Sequence, residues 1–308
     1  MLLQVEGLSL SFTQYTTGLR QRELTVLRDL SLTVSEGQVV AVVGASGSGK
    51  SLLAHAILGL LPYNSRMHGQ IRYNDQPLTA ERAAKLRGRE IVLVPQGTTC
   101  LDPRMQVGPQ IRRGSKSPEK REKCRQALAR YGLGPETETL YPFELSGGMA
   151  RRVLIATASM ESPRLVVADE PTPGLDARSA ARMLGHFREL ADAGAGVLFI
   201  THDLELALVV ADQVVVLYAG ETIEQAPASA FPDGLRHPYT RALWQAMPQN
   251  GFAPLPGTQP YPGEISTGCQ FAPRCPQCRP DCRTTQTIAC RTTPTGSVRC
   301  LHALEDAT

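Results

Sequence analysis

The sequence predicts an α/β fold with a mainly parallel sheet, and three short apolar runs carry the prediction. Residues 39–43 (VVAVV), 165–168 (LVVA) and 197–200 (VLFI) are unbroken apolar stretches of the kind found in strands covered on both faces. Each stops at residues that carry chemistry. The first runs into the glycine-rich turn Gly44-Ala45-Ser46-Gly47-Ser48-Gly49-Lys50-Ser51, the second into the adjacent carboxylates Asp169 and Glu170, and the third into Thr201-His202-Asp203.

The glycine-rich turn has the spacing of a phosphate-cradling P-loop, so the chain is expected to bind a nucleoside triphosphate. Backbone N–H groups must wrap the β- and γ-phosphates, and Gly44, Gly47 and Gly49 let the main chain come that close. Ser46 lies inside the same loop. Lys50 is placed to reach the β- and γ-phosphates as a point charge, and Ser51 to offer its hydroxyl to Mg²⁺. Residues 52–61 read as a helix whose positive end faces the anion. Asp169 and Glu170 would divide their labour: the first holds Mg²⁺ through its water shell, and the second orients the water that attacks the γ-phosphate in line.

A further motif, Leu145-Ser146-Gly147-Gly148-Met149, lies about a hundred residues past the loop. Glycine-rich loop, Leu145 motif, acidic pair and Thr201-His202-Asp203, in that order, resemble the nucleotide-binding subunit of ABC transporters over about residues 2–245. The resemblance implies a P-loop NTPase core of ABC type, with ATP and Mg²⁺ as ligands. It places Phe12 where an aromatic stacks on adenine, with Tyr15 as the alternative if the register slips. It makes Gln96, in Val94-Pro95-Gln96, a Mg²⁺ contact linked to the membrane partner, and His202 a contact to the γ-phosphate. Read from the residues alone, Phe12 could equally be a core aromatic, Gln96 a surface amide and His202 a helix cap.

Asp176, in Pro173-Gly174-Leu175-Asp176, matches a loop that crosses a dimer interface. Ser146, Gly147 and Gly148 match the signature that binds the γ-phosphate held by the opposite subunit, so one chain does not complete a site and a second ATPase subunit, identical or not, is expected. One departure stands out: the family commonly reads glutamine then arginine shortly after the signature, and this chain has Arg151-Arg152.

Composition fits a chain with a large core: 308 residues, 42% hydrophobic, with a formal charge of +3 from 32 basic and 29 acidic side chains. Nothing in that balance calls for nucleic acid. No stretch approaches the roughly 18–20 apolar residues of a membrane helix, and the N-terminus lacks a signal-peptide pattern. The expected place is therefore the cytoplasmic face of the membrane, docked on two separate permease subunits. A basic stretch, Arg112-Arg113-Gly114-Ser115-Lys116 followed by Lys120, Arg121, Lys123 and Arg125, reads as a solvated helix face or as a contact to permease or lipid headgroups.

Along the chain, residues 2–43 read as an antiparallel β region with a turn at Glu36-Gly37, and residues 50–95 as a continuation of the nucleotide core. A helical subdomain of about residues 97–160 carries the signature, with segment 121–131 as its clearest helix, ended by Gly132 and Gly134, and Gly147 and Gly148 at the start of a helix containing residues 150–160. Residues 162–225 return to α/β. The nucleotide-binding domain is expected over about 1–245, and a Pro- and Cys-rich extension over about 246–308.

That extension holds six of the eight cysteines: Cys269, Cys275, Cys278, Cys282, Cys290 and Cys300. In a reducing compartment such clustering points to thiolate ligation rather than disulfides, either tetrahedral Zn²⁺ or a [4Fe–4S] centre. Around them, His237-Pro238-Tyr239-Thr240-Arg241-Ala242-Leu243, Leu255-Pro256-Gly257 and Gly268-Cys269-Gln270-Phe271-Ala272-Pro273-Arg274-Cys275-Pro276 resemble the C-terminal region of oligopeptide, dipeptide and nickel importer ATPases. This second resemblance implies import of peptides or of nickel or a metal chelate, fed by an extracytoplasmic binding protein. It also implies an iron–sulfur cluster rather than zinc, on Cys269, Cys275, Cys282 and Cys300, with Cys278 and Cys290 outside the pattern. The competing expectation is a non-transport ABC ATPase acting as a mechanical or scaffold module in a soluble complex.

Overall fold

The computed structural model describes residues 1–16, 20–160, 162–231, 233–264, 267–294 and 296–303. The chain opens on two long strands, β1 (Leu3–Tyr15) and β2 (Gln21–Val34), then the buried β3 (Val39–Val43) and helix α1 (Lys50–Ile57). Next come β4 (Ser65–Tyr73), β5 (Gln76–Pro77), α2 (Ala80–Leu86) and β6 (Ile91–Val94). Helices α3 (Val107–Ile111), α4 (Pro118–Arg130) and α5 (Gly147–Ser159) form the helical insertion. The α/β pattern resumes with β7 (Leu165–Asp169), α6 (Ala177–Asp192), β8 (Gly196–Thr201), α7 (Leu204–Val210), β9 (Gln213–Tyr218) and β10 (Glu221–Pro227). The last elements are α8 (Pro238–Gln245), α9 (Pro280–Thr284), β11 (Arg291–Thr293) and β12 (Gly296–Val298).

Two sheets result. One is antiparallel, in the order β2-β1-β4-β5; the other runs β11-β12-β10-β9-β3-β8-β7-β6. Strands β9, β3, β8, β7 and β6 pair in parallel, which brings the ends of β3, β8, β7 and β6 to one edge of the molecule. Successive residues of a strand face opposite ways, and β3 shows it: Val39, Ala41 and Val43 enter the core shared with the helical insertion and the tail, while Val40 and Val42 enter the core under α1 and the antiparallel sheet.

Several expected elements shift. The helix expected over 52–61 runs Lys50–Ile57 instead, because Gly59 turns the chain at φ +62 before Pro62. Residues 50–95 do not all continue the nucleotide core, since β4 and β5 pair into the antiparallel sheet. The helix expected over 121–131 begins earlier, where Ser117 accepts from the N–H of Lys120 and Pro118 opens the first turn, and the chain turns away at Gly132 with φ +67. The signature helix begins, as expected, at Gly147, capped by Ser146.

The tail is built into the core sheet. Strand β12 pairs antiparallel with β10, Glu224 opposite Val298 and Gln225 opposite Ser297. A Cβ on Gly296 would sit 1.8 Å from the carbonyl oxygen of Gln225, so only glycine allows that approach. Buried Arg299 fastens the join by donating to the carbonyls of Thr222 (2.9 Å) and Ile288 (2.7 Å) and to the carboxylate of Asp29 (2.8 Å).

Candidate nucleotide site

Residues delivered by the ends of four parallel strands meet at Glu170. Lys50, just after the β3 loop, places Nζ 3.9 Å from its Oε1; Gln96, after β6, donates Nε2 to its Oε2 at 3.0 Å; His202, after β8, has Nδ1 3.3 Å from Oε1. Beside them Ser51 donates to Asp169 Oδ1 at 3.2 Å. The expected Mg²⁺ contacts Ser51 and Asp169 therefore touch, and the third, Gln96, reaches the neighbouring carboxylate.

The loop holds Lys50 in place. Its ammonium donates to the carbonyls of Gly44 (2.8 Å) and Ala45 (3.1 Å), and burial lowers its pKa against the opposing pull of Glu170 and Asp169. Gly47 and Gly49 stand at φ +80 and +94, a conformation only glycine adopts without strain, and Gly49 N-caps α1. Ser46 and Gly47 are exposed at the loop's tip. Burial raises the pKa of Asp169, the Ser51 hydrogen bond working the other way.

Glu170 itself stands at φ +43, a left-handed backbone unusual for a side chain of its size and worth roughly 1–3 kcal/mol of strain. Its N–H donates to the carbonyl of Ile200 in β8, which turns the residue out of β7 immediately after Asp169. His202 is not a helix cap: Asp203 caps α7 by accepting from Leu206 N–H at 3.1 Å, leaving the imidazole for Glu170.

Other expected residues stand apart from this cluster. Ser146 accepts from Met149 N–H at 3.2 Å, and a Cβ on Gly147 or Gly148 would meet nothing within 4 Å, so the start of α5 is open to an approaching group. Among the described residues no hydrogen bond or ion pair joins these three to Glu170. Asp176 is exposed and caps α6 by accepting from Ser179 N–H at 2.9 Å. Phe12 is half-buried in β1, packed on the core beneath α1, while Tyr15 is 67% exposed. In the basic stretch, Arg112 and Arg125 both pair with Glu138, so part of that charge is used inside the helical insertion.

One residue was marked in the sequence only as a departure from pattern. Arg151, on α5, donates Nη1 to the carbonyl of Glu170 at 3.1 Å and Nη2 to the carbonyl of Gln96 at 2.7 Å.

In the tail, Cys269, Cys275, Cys282 and Cys300 line one small cavity together with Phe271 and His302, whereas Cys278 and Cys290 do not. All eight cysteines of the chain are free thiols. Burial pushes Cys269 up to about 12 and raises Cys275 and Cys300 as well. His302 Nε2 lies 2.8 Å from Asp281 at the cavity's rim.

The chain is similar to known proteins over both its nucleotide core and its tail. A family model described as ABC transporter matches residues 27–173, and one described as the oligopeptide/dipeptide transporter C-terminal region matches 223–282. The chain is 34% identical to the dipeptide transport ATP-binding protein DppD of Escherichia coli over 99% of this chain and 98% of that protein. It is 33% identical to the oligopeptide transport ATP-binding protein AppD of Bacillus subtilis over 92% of each. Among solved structures, an ATP-binding subunit of an ABC transporter aligns at 27% identity and TM-score 0.61, over 74% of this chain and 90% of that one. A dimeric ATP-binding cassette in a post-hydrolysis state with ADP and Pi aligns at 25% identity and TM-score 0.64, over 74% and 99%. The chain is an ABC-type ATPase and belongs to the oligopeptide/dipeptide family of ABC transporter ATP-binding subunits.

Proposed function

We propose that this chain powers import of dipeptides or oligopeptides, as one of two ATPase subunits docked on the cytoplasmic face of two membrane permeases that an extracytoplasmic binding protein supplies. The observation that carries the reading is Glu170, a strained carboxylate on which Lys50, Gln96 and His202 converge beside the Ser51–Asp169 pair. Among the described residues no helix is long and apolar enough to cross a membrane, which fits a subunit that leaves the pore to others. The relatives named above are peptide transport proteins, which favours peptides over nickel or a metal chelate.

In this reading residues 1–245 form the nucleotide-binding domain, with its helical subdomain at about 97–160. The P-loop from Gly44 to Gly49, with Ser46 at its tip, wraps the phosphates, Lys50 neutralises the β- and γ-oxygens, and Phe12 stacks on adenine. Ser51, Asp169 and Gln96 hold Mg²⁺, which supplies further charge neutralisation on the phosphates. Glu170 orients the attacking water and His202 contacts the γ-phosphate. The open start of α5, with Ser146, Gly147 and Gly148, addresses the ATP of the second subunit, and Asp176 lies at the boundary between the two.

For the extension over 246–308 we propose a [4Fe–4S] centre on Cys269, Cys275, Cys282 and Cys300. Tetrahedral zinc would need its four sulfurs about 4 Å apart, from Zn–S bonds of about 2.3 Å. Among the described residues the one group of metal-ligating atoms all within 4.8 Å of one another is Asp281, Cys282 and His302, so the four thiols do not stand at that zinc spacing, while all four line one cavity, which supports a shared group. A thiol held neutral by burial, as Cys269 is, also becomes a thiolate only beside such positive charge.

Uptake of labelled dipeptide and of labelled nickel, in cells carrying this chain or its Glu170→Gln form, tests the proposal. Loss of dipeptide uptake alone is expected. Loss of nickel uptake alone would reassign the cargo, and loss of neither would remove the transport reading.

A further inference from the structure

We infer that Arg151 is a positioning residue for ATP hydrolysis, a two-pronged clamp that ties the signature helix to the backbones of both Glu170 and Gln96. Its guanidinium spans two loops that leave neighbouring parallel strands, β6 and β7, giving one N–H to each carbonyl at 2.7 and 3.1 Å. The fixed fork of the guanidinium suits this task, since its donors sit on separate nitrogens. An ammonium or an amide has its N–H groups on a single nitrogen and does not span the pair in the same way.

The clamp matters because of what it holds. Glu170 stands at φ +43, and its carboxylate receives Gln96 on one oxygen and lies near His202 and Lys50 on the other. A left-handed glutamate persists only where its surroundings over-determine it. The Ile200 carbonyl holds its N–H from one side, and Arg151 holds its carbonyl from the other. Released from Arg151, Glu170 is free to relax toward ordinary φ and swing its carboxylate away from the water it orients. Arg151 also lies just over one turn into α5, close behind Ser146 and Gly148. A shift of that helix start is therefore transmitted mechanically to this chain's own water-orienting carboxylate. The inference rests on the reading of Glu170 given above.

The test is steady-state ATPase of the full chain in its membrane complex, for Arg151→Met, Arg151→Gln and Arg151→Lys. Loss of positioning predicts a kcat lower by about tenfold in the Met and Gln forms, a smaller fall in the Lys form, and a KM for ATP within about twofold of wild type. Melting curves accompany each variant. An unchanged kcat in the Met form overturns the inference, as does a raised KM with kcat intact, which would make Arg151 a nucleotide-binding residue. A kcat that falls only in step with the fraction unfolded, with Lys and Gln forms stable and fully active, also overturns it. Glu170→Gln is run alongside: if it retains turnover the reading of Glu170 fails, whereas loss of its turnover with an unaffected Met form defeats the clamp alone.

Discussion

The nucleotide cluster and the cysteine cavity are built on the same sheet and satisfy opposite electrostatic conditions. Around Glu170 the protein supplies both signs of charge, with Lys50 against two carboxylates and amide and imidazole groups filling the gaps. Around the cavity burial raises the pKa of Cys269, Cys275 and Cys300, and the lining is mostly thiol and apolar, with His237 and His302 as its titratable partners. In the first site each charged side chain already has a partner of the opposite sign within the chain. If the second holds the proposed metal group, its thiols become ligands only with that group, and its folding and occupancy are linked. The two are joined by packing: Phe271 lines the cavity and meets Tyr218 and Tyr239 at 5.3 Å each, and Tyr239 accepts a hydrogen bond from the backbone of Ala45 in the phosphate loop.

That join is the first place to break the comparison. Phe271 is 1% exposed and belongs to the core shared with β3, β7 and β8. Phe271→Ala is expected to cost about 3–5 kcal/mol and to lower the melting temperature of the whole chain in a single transition. Calorimetry resolving a separate early transition of the tail, with the remainder unchanged, would show the two regions to be independent. Lys50→Met attacks the other side, removing the one buried cation of the nucleotide cluster. Turnover should fall by about 100- to 1000-fold, as for loss of a transition-state charge contact. Tail stability, and any metal bound at the proposed centre, should not move, which melting curves and metal analysis check.

A smaller effect separates the regions by pH. Burial lowers His237, at the edge of the cavity, from 6.5 to about 3. Below pH 6.5 the unfolded chain takes up a proton that the folded chain refuses. Stability is therefore full above that pH and declines as pH falls toward 3, by at most about 1.4 kcal/mol per unit. His237→Asn keeps an acceptor for the N–H of Tyr239 but removes the titration. Denaturant midpoints from pH 7 to 5 should fall more steeply in the wild type, by a difference of about 1–2 kcal/mol, and parallel slopes would contradict this origin.

What the sequence disclosed follows the same division. The strands 39–43, 165–169 and 196–201 were legible because they are unbroken apolar runs, and the residues at their ends because phosphate chemistry demands fixed types at fixed spacing. Strand β4 was not, since only Ile71 and Tyr73 of its nine residues are buried and there is little apolar signal to see. Strands β11 and β12 are three residues each and owe their form to pairing, β11 with β12 and β12 with β10, some seventy residues earlier in the chain. The early end of α1 was hidden because Leu60 and Leu61 continue the apolar pattern past the turn at Gly59. The role of Arg151 was invisible for another reason. Its partners are backbone carbonyls, which no residue pattern records.

The central claim is that Glu170 is the carboxylate that makes this chain an ATPase, and Glu170→Gln tests it most directly. The amide keeps the size of the side chain and loses the charge that polarises water. Bound ATP, measured with a labelled nucleotide, should stay at the wild-type level while phosphate release falls at least about 100-fold. Phosphate release at the wild-type rate in a variant that binds ATP normally would contradict the account.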